Sequence, residues 1–561
     1  MPSHARNLLI LLALCLVCFW FRLGRIGLID PDEPFYAQTA HEMVVTGDWM
    51  TPQIYGGPQF EKPIFYYWLV AASFKTLGEN EFTGRLPATL FATLLVLLVY
   101  AFSARVYSKR TGLLAAVVLA TGLEFMLMSR LMLTDIPLAF FLSGSVFSAW
   151  LAYTEPEKRD RWMFLHLLSM GMAWLTKGPI GILFPCFTMA AYFIFQKPRQ
   201  WAYRGKGVWL GLAAALIVGV PWYAYTFAHH GVDFWKEFFV RDNYLRWFHS
   251  EHPSNNHFWY YPGLLILGSI PWMPLVLLTI KRAITGLREN EPAFFQWCWL
   301  LSNLVFLSFA ASKLPSYAFF LFVPLAVIGG RHLDELLERG FRGKGERNLV
   351  LGAALLQGLV PLATPFIKAA QPFVVPAYLL GGLLVVAMIC LARRAFPAWV
   401  ISTAAGSTAL LVASLTLDVQ NAENLSSTKP TALRLLQIQA QHPGEPLIAG
   451  KFPVRGIIYY TQQAAERAEQ GKPGGKTDFI PSVMVLASEA QPFWAAHPTL
   501  KIIIGKGGLK DFLATHPSAL CVMRKSDWDS TYDTSAVFQK QDSLEQIGDN
   551  IIVRALPRTS N

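Results

Sequence analysis

Acids and amines gather at a few places along this chain where apolar segments end. Asp32 and Glu33 lie in the stretch DPDEPFYAQTAHEMVVT, and Glu61 and Lys62 follow in YGGPQFEKPIFYYW. Further along come Asp135 in SRLMLTDIPLAFF, Lys177 in WLTKGPIGI, His257 in a long aromatic loop, and Lys313 with Tyr317 in FAASKLPSYAFF. Ionisable groups beside apolar segments are expensive to desolvate and therefore mark a pathway or a site. A lysine ammonium is a compact phosphate binder, and a phenol beside it suits the same oxygen-rich ligand. Each position also has a plainer reading. Asp32, Glu33 and Asp135 stand where acids cap helix starts and complement the helix dipole. Lys62 and Lys177 would snorkel to headgroups, and Lys313 with Tyr317 would form an interfacial belt.

The elements that must hold these residues are membrane helices. Of 561 residues, 53% are hydrophobic and only 15% charged, and the apolar residues come in blocks. Each block approaches the roughly 20 residues that a helix needs to cross a bilayer. The blocks lack strand alternation, and only helices or closed barrels satisfy the backbone in lipid. Spans are expected near 8–28, 83–104, 112–129, 136–153, 162–177, 178–195, 208–227, 258–280, 293–311, 315–331, 348–366, 374–392 and 397–416, or about thirteen. Alternate connections hold the basic residues, among them Arg105, Lys109, Arg110, Lys158, Arg282 and Arg342. By the positive-inside rule these loops are cytoplasmic, so the other connections and the C-terminal part face outward. The basic start and first apolar block superficially resemble a signal peptide; with Arg22, Arg25 and Asp30 following instead of a cleavage site, a retained first span with a cytoplasmic N-terminus is expected.

Much of the net charge of +11 is thus topological and gives no nucleic-acid signal. The six cysteines follow no disulfide or metal spacing, and Cys15 with Cys18 form a C-x-x-C only formally, inside an apolar helix. The expected domains are a transmembrane domain over 1–416, with catalytic outer loops at 29–82 and 228–261, and a soluble α/β domain over 417–561. The runs PLIAG, VMVLA, LKIIIG, ALCVMR and NIIVRAL supply that domain's strands, and a mobile loop is expected between Gln462 and Lys476. Within the second outer loop, DFWKEFFVRDNYLRW fits an amphipathic helix at the membrane surface.

Taken in order, the Asp32-Glu33 pair after the first span, Glu61-Lys62-Pro63 before an aromatic run, Thr134-Asp135-Ile136-Pro137, Thr176-Lys177-Gly178-Pro179 and Ser312-Lys313-Leu314-Pro315-Ser316-Tyr317 resemble the bacterial aminoarabinose transferases. These sit with the protein mannosyltransferases among the polyprenyl-phosphate-sugar-dependent glycosyltransferases of the GT-C fold. The resemblance implies a bacterial inner-membrane enzyme with a periplasmic C-terminal domain that moves 4-amino-4-deoxy-L-arabinose from undecaprenyl phosphate to a lipid A phosphate. It implies Asp32 and Asp135 as the acids needed for activity, with Glu33 beside them. Lys62 becomes the carrier-phosphate ligand, Lys313 and Tyr317 further phosphate contacts, and Glu61 with His257 a candidate pair for a divalent cation, zinc or magnesium. One departure stands out: the family pattern D-E-x-R-Y-A reads DEPFYA here, with Phe35 in place of the arginine.

A lipid-phosphate sugar already carries a leaving group, so catalysis needs preorganised cations in a water-poor cleft, for which Lys62, Lys177, Lys313 and Tyr317 are the candidates. A phosphate acceptor needs no general base, which leaves the acids to orient an amino sugar; direct displacement with inversion is expected. The nearest alternative is a transferase acting on a protein or glycan hydroxyl, and the next is a lipid-linked-sugar flippase. Flippases and transporters keep their charges near mid-membrane in related halves, whereas these acids gather on one face. A monomer in contact with membrane lipids is expected, without nucleic acid.

Overall fold

The computed structural model describes residues 3–196, 203–250, 253–286, 291–366, 373–469, 483–487, 500–516, 518–529 and 543–555. Among the described residues, eight helical stretches are long and apolar enough to cross a membrane, and the shorter apolar helices His4–Trp20 and Ile180–Gln196 add to them. Most expected spans are single helices, such as Glu81–Val106, Asp135–Thr154 and Val374–Ala392. Three are broken. The span expected at 112–129 is split where Gly122 turns extended (ψ 133°) between Lys109–Thr121 and Leu123–Met128. The one expected at 258–280 is split into Tyr260–Gly268 and Met273–Gly286 around Pro271, which cannot donate a helical hydrogen bond. The one at 208–227 divides at Val220 before Pro221.

The chain forms two compact units. The first comprises Met1–Leu23, Phe60–Tyr66 and Arg85–Leu417; the second comprises Gly24–Gln59, Tyr67–Gly84 and Asp418–Asn561. The boundary after Leu417 falls where the composition changes, and the first outer loop is divided between the units. Asp32 and Glu33 belong to the second unit, Glu61 and Lys62 to the first.

In the first unit, the helix Arg159–Lys177 packs against both Asp135–Thr154 and Lys206–Gly219. Small residues permit the approach: a Cβ on Gly171 would lie 2.7 Å from the Ala215 Cα. Without a hydrophobic driving force between helices in lipid, such backbone-close packing supplies the association. Where the sequence places basic loops, ion pairs tie helix ends together, Arg110 to Asp334 and Arg282 to Glu346 and Glu335.

In the second unit, the expected helix FYAQTAHEMVVT is Asp32–Thr46, closed by Gly47 at φ 76°. A tight hairpin pairs β1 (Gln53–Ile54) with β2 (Gly57–Pro58) across Tyr55 and Gly56, both at positive φ. Tyr55 and Gly56 donate their backbone N–H groups to the Glu42 carboxylate, at 2.7 and 3.0 Å, and so hold a turn that Tyr55 alone would resist. The C-terminal part builds a six-stranded sheet from β3 (Leu447–Gly450), β4 (Val483–Ala487), β5 (Ile502–Ile504), β6 (Ala519–Arg524), β7 (Ser543–Ile547) and β8 (Asn550–Ala555). The order is β5-β4-β3-β6-β8-β7, parallel through β6 and antiparallel from there. All five apolar runs read as strands are strands, and Ile448, Leu486, Leu509, Cys521 and Val553 fill the core beneath them. The loop expected between Gln462 and Lys476 begins as helix, since Val454–Glu469 is continuous; its remainder lies outside the described residues.

Candidate active site

Five residues singled out in the sequence, Glu61, Lys62, Asp135, Lys177 and Tyr317, line one cavity in the first unit. Asp135 is the first residue of its helix, yet it makes no side-chain capping bond there. Its carboxylate instead accepts from the Lys177 ammonium at 2.5 Å, with the two side chains 7% and 9% exposed. That geometry replaces both plainer readings, capping for Asp135 and snorkelling for Lys177. Lys177 ends its helix, and Gly178 follows at φ 76° with the Phe238 ring 2.6 Å from where a Cβ would sit. Only glycine lets that ring close over the turn. The Lys177 ammonium also stands 4.7 Å above the Tyr317 ring, a cation–π contact.

In the same cavity, Lys62 lies 3.7 Å from Asp242, and Glu61 lies 3.7 Å from Arg241. Phe60 anchors their segment, its ring packing on His230 and Phe234. Asp242, Asn243 and Arg246 also line the cavity; the residue-by-residue reading of the sequence passed over them. They sit on a π-helical stretch, Trp235–Leu245, continued by Arg246–Phe248. The i→i+5 bonding of such a stretch makes residues four and five apart neighbours, so Glu237, Arg241, Asp242 and Arg246 share a face. Arg241 bonds Glu237 at 2.9 Å and Asp242 at 3.1 Å, and Arg246 reaches Asp242 at 3.8 Å. The sequence signal was the amphipathic run DFWKEFFVRDNYLRW, whose charged face turns toward the cavity. The remaining wall is apolar, from Leu138, Ile180, Phe184, Phe238, Trp247, Phe306 and Leu307. The lining thus combines three amine or guanidinium groups, three carboxylates and a phenol with a greasy surface.

Other expected site residues lie elsewhere. Lys313 is buried outside the lining set, with its ammonium donating to the Asn256 side chain at 3.0 Å and to the Ala310 carbonyl. Burial holds that ammonium below its usual pKa. His257 is exposed and stacks on Trp259, with ring centroids 5.1 Å apart. Glu61 meanwhile has Arg241 as its cation, and among the described residues no group of three or more His, Cys, Asp or Glu is placed to hold a metal ion. Glu61 and His257 thus each meet another side chain, Arg241 and Trp259.

In the second unit, Asp32 is exposed at the first residue of its helix, with Pro31 rather than Asp32 in the capping position. Glu33 is 1% exposed and accepts from the Ile29 N–H at 2.6 Å, which gives it a structural task in the helix start. Phe35, the departure from the family pattern, is buried beneath the Arg455 guanidinium, 4.8 Å from its ring centroid. A cation therefore reaches this position from the C-terminal helix Val454–Glu469.

Comparison with solved structures identifies the architecture. ArnT from Cupriavidus metallidurans superposes with a TM-score of 0.72 when bound to undecaprenyl phosphate and 0.73 in the apo state, at 20% identity, with 97% or more of each chain covered. The chain has the ArnT fold. It is a polytopic helical fold of the GT-C type with a C-terminal sheet. Residues 5–238 match the family described as dolichyl-phosphate-mannose-protein mannosyltransferase. A relative from Pseudomonas aeruginosa, an undecaprenyl phosphate-alpha-4-amino-4-deoxy-L-arabinose arabinosyl transferase, is 32% identical over 349 residues, 61% of this chain and 62% of that protein. One of the same description from Erwinia tasmaniensis is 32% identical over 54% of this chain and 55% of its own length. The matched regions span less than two thirds of either relative. The resemblance to aminoarabinose transferases read from the motifs is thereby shown.

Proposed function

We propose that this protein transfers 4-amino-4-deoxy-L-arabinose from undecaprenyl phosphate to a phosphate of lipid A, at the outer face of a bacterial inner membrane. The observation that carries the reading is the cavity in which Lys62, Lys177, Arg246 and Tyr317 face an apolar wall. A polyprenyl phosphate presents the same two chemistries, one anionic head and one hydrocarbon chain. The arabinosyl transferases among its relatives support the choice of sugar.

In the reaction, an acceptor phosphate oxygen attacks the anomeric carbon while the bond to the carrier oxygen breaks. The electron pair stays on the carrier phosphate, which passes from a diester monoanion to a monoester dianion. The acceptor phosphate changes the opposite way, so total charge is conserved and no general base is required. Lys62, Arg246 and Lys177 stabilise the charge that grows on the leaving oxygen, and they cost little reorganisation because packing has already placed them. The sugar inverts. Asp135 orients the sugar, whose ammonium attracts carboxylates, and Asp32 is a second acid needed for activity. The N-terminus faces the cytoplasm, the C-terminal unit faces the periplasm, and the protein works as a monomer.

The test is transfer by purified protein in proteoliposomes from radiolabelled undecaprenyl-phosphate aminoarabinose to lipid A. Lys62→Ala is expected to lower the rate by at least about a hundredfold, the range for losing one preorganised oxyanion contact, and Asp32→Asn to lower it strongly. Label appearing on a protein or glycan hydroxyl instead of lipid A would reassign the acceptor. Label crossing the bilayer without a new glycosidic bond would make the protein a flippase.

A further inference from the structure

The cavity wall holds a carboxylate for which the transfer reaction above has no use. Asp242 is the most enclosed of its charged groups, with 2% of the side chain exposed. Three cations converge on it: Arg241 at 3.1 Å, Lys62 at 3.7 Å and Arg246 at 3.8 Å. All three separations exceed the roughly 2.7–2.9 Å of a closed charge-assisted hydrogen bond, those of Lys62 and Arg246 by the widest margin. Its Oδ2 accepts no hydrogen bond from the described residues. Asp135, by contrast, is closed on Lys177 at 2.5 Å. Asp242 therefore gathers cations at open distances, and Lys62, which donates to the Glu61 carbonyl at 3.0 Å, and Arg246 both line the cavity and stand near enough to turn to an anion that enters.

This arrangement affects substrate and product differently. On the reading proposed above, the carrier phosphate enters as a monoanionic diester and leaves as a dianion. Binding energy directed equally at leaving group and product would trap the product, since cations that stabilise a departing phosphate also retain it. A fixed carboxylate beside those cations repels the dianion more than the monoanion. We propose that Asp242 is a positioning residue that holds Lys62 and Arg246 ready for the carrier phosphate and competes with it for them, so that the spent undecaprenyl phosphate is released. The inference rests on the carrier-phosphate reading of this cavity.

Full-length protein in nanodiscs tests it with two probes, undecaprenyl phosphate and its methyl diester, which differ by one charge. Wild type is expected to bind both and to favour the dianion by no more than about threefold. Asp242→Asn is expected to bind undecaprenyl phosphate about tenfold tighter or more, because a like charge a few ångströms from the ligand has been removed. Its kcat for transfer should fall together with the KM for the donor, and added undecaprenyl phosphate should inhibit it more strongly than wild type. Asp242→Glu, which keeps the charge, should stay close to wild type in affinity. Equal or weaker binding of the dianion by a folded Asp242→Asn protein overturns the inference and leaves the carrier reading intact. Should that variant fail to fold, a wild-type preference for the dianion above about tenfold overturns it instead. Wild type that binds neither probe overturns the carrier reading and this inference together.

Discussion

Asp135 and Lys177 stand together because each removes the other's desolvation cost. Their side chains are nearly enclosed and joined at 2.5 Å. A buried pair contributes little net stability over an apolar replacement, yet removing one partner leaves a stranded charge and costs about 3–5 kcal/mol. Lys177→Met alone should therefore lower the unfolding temperature in detergent sharply, whereas the double variant Asp135→Asn with Lys177→Met should recover most of it. Transfer activity separates structure from chemistry. If the pair serves the reaction, the recovered double variant remains inactive; near wild-type turnover in it would assign the pair to stability alone. Residue types made these two positions legible, since an acid and an amine each stood at an apolar boundary. Glu33 and Lys313, read by the same logic, have polar groups already engaged, by the Ile29 N–H and by the Ala310 carbonyl with the Asn256 side chain. Residue type records what a side chain is able to do, and only packing decides whether the backbone next to it has a prior claim.

At the level of elements, hydropathy located the helices because the cost of exposing backbone to lipid depends mainly on segment length and apolarity. It did not find the breaks at Gly122 and around Pro271, where single residues interrupt otherwise apolar runs. It also left Asp242 and Arg246 unassigned, because an amphipathic helix offers its charged face to water and to a cavity alike. The helix Arg159–Lys177 shows what such placement requires. A Cβ on Gly171 would meet the Ala215 backbone at 2.7–2.8 Å, and one on Gly181 would come within 2.4 Å of the Ala173–Trp174 peptide. Gly171→Leu should force this helix from its neighbour and move Lys177 with it. The expected result is a loss of transfer larger than the loss of thermal stability, because misplacing a catalytic group by about 1 Å can cost on the order of a hundredfold in rate. A Gly171→Leu protein that keeps both would show that Lys177 does not depend on this contact.

For the whole molecule, the informative feature is that one short loop contributes to two units. The stretch that holds Asp32 and Lys62 reads as one outer loop, but the chain leaves the second unit after Gln59 and returns to it at Tyr67. Composition alone does not carry that division, because it arises from contacts made hundreds of residues away in sequence. Within the second unit the tie is His41, 4% exposed, whose ring nitrogens meet Glu79 at 2.8 Å and Glu466 at 3.0 Å. Burial lowers the His41 pKa, but the hydrogen bonds to Glu466 and Glu79 outweigh it and push the imidazole up from 6.5 to about 10. A group raised on folding adds stability that is complete below its unfolded value and lost as pH rises through its folded one. The contribution of His41 is thus full below about pH 6.5 and fades toward pH 10. Asp30 changes in the same direction at lower pH: burial, opposed by hydrogen bonds from Thr428, raises its carboxyl from 3.8 to about 7. Hydrogen exchange in Asp32–Thr46 and Val454–Glu469, corrected for intrinsic rates, should therefore quicken steadily between pH 7 and 10 in wild type. His41→Gln should exchange faster at pH 7 and lose that upper slope, while keeping the Asp30 slope below pH 7. An unchanged rise between pH 7 and 10 in His41→Gln would remove His41 as the proton-linked tie of this unit.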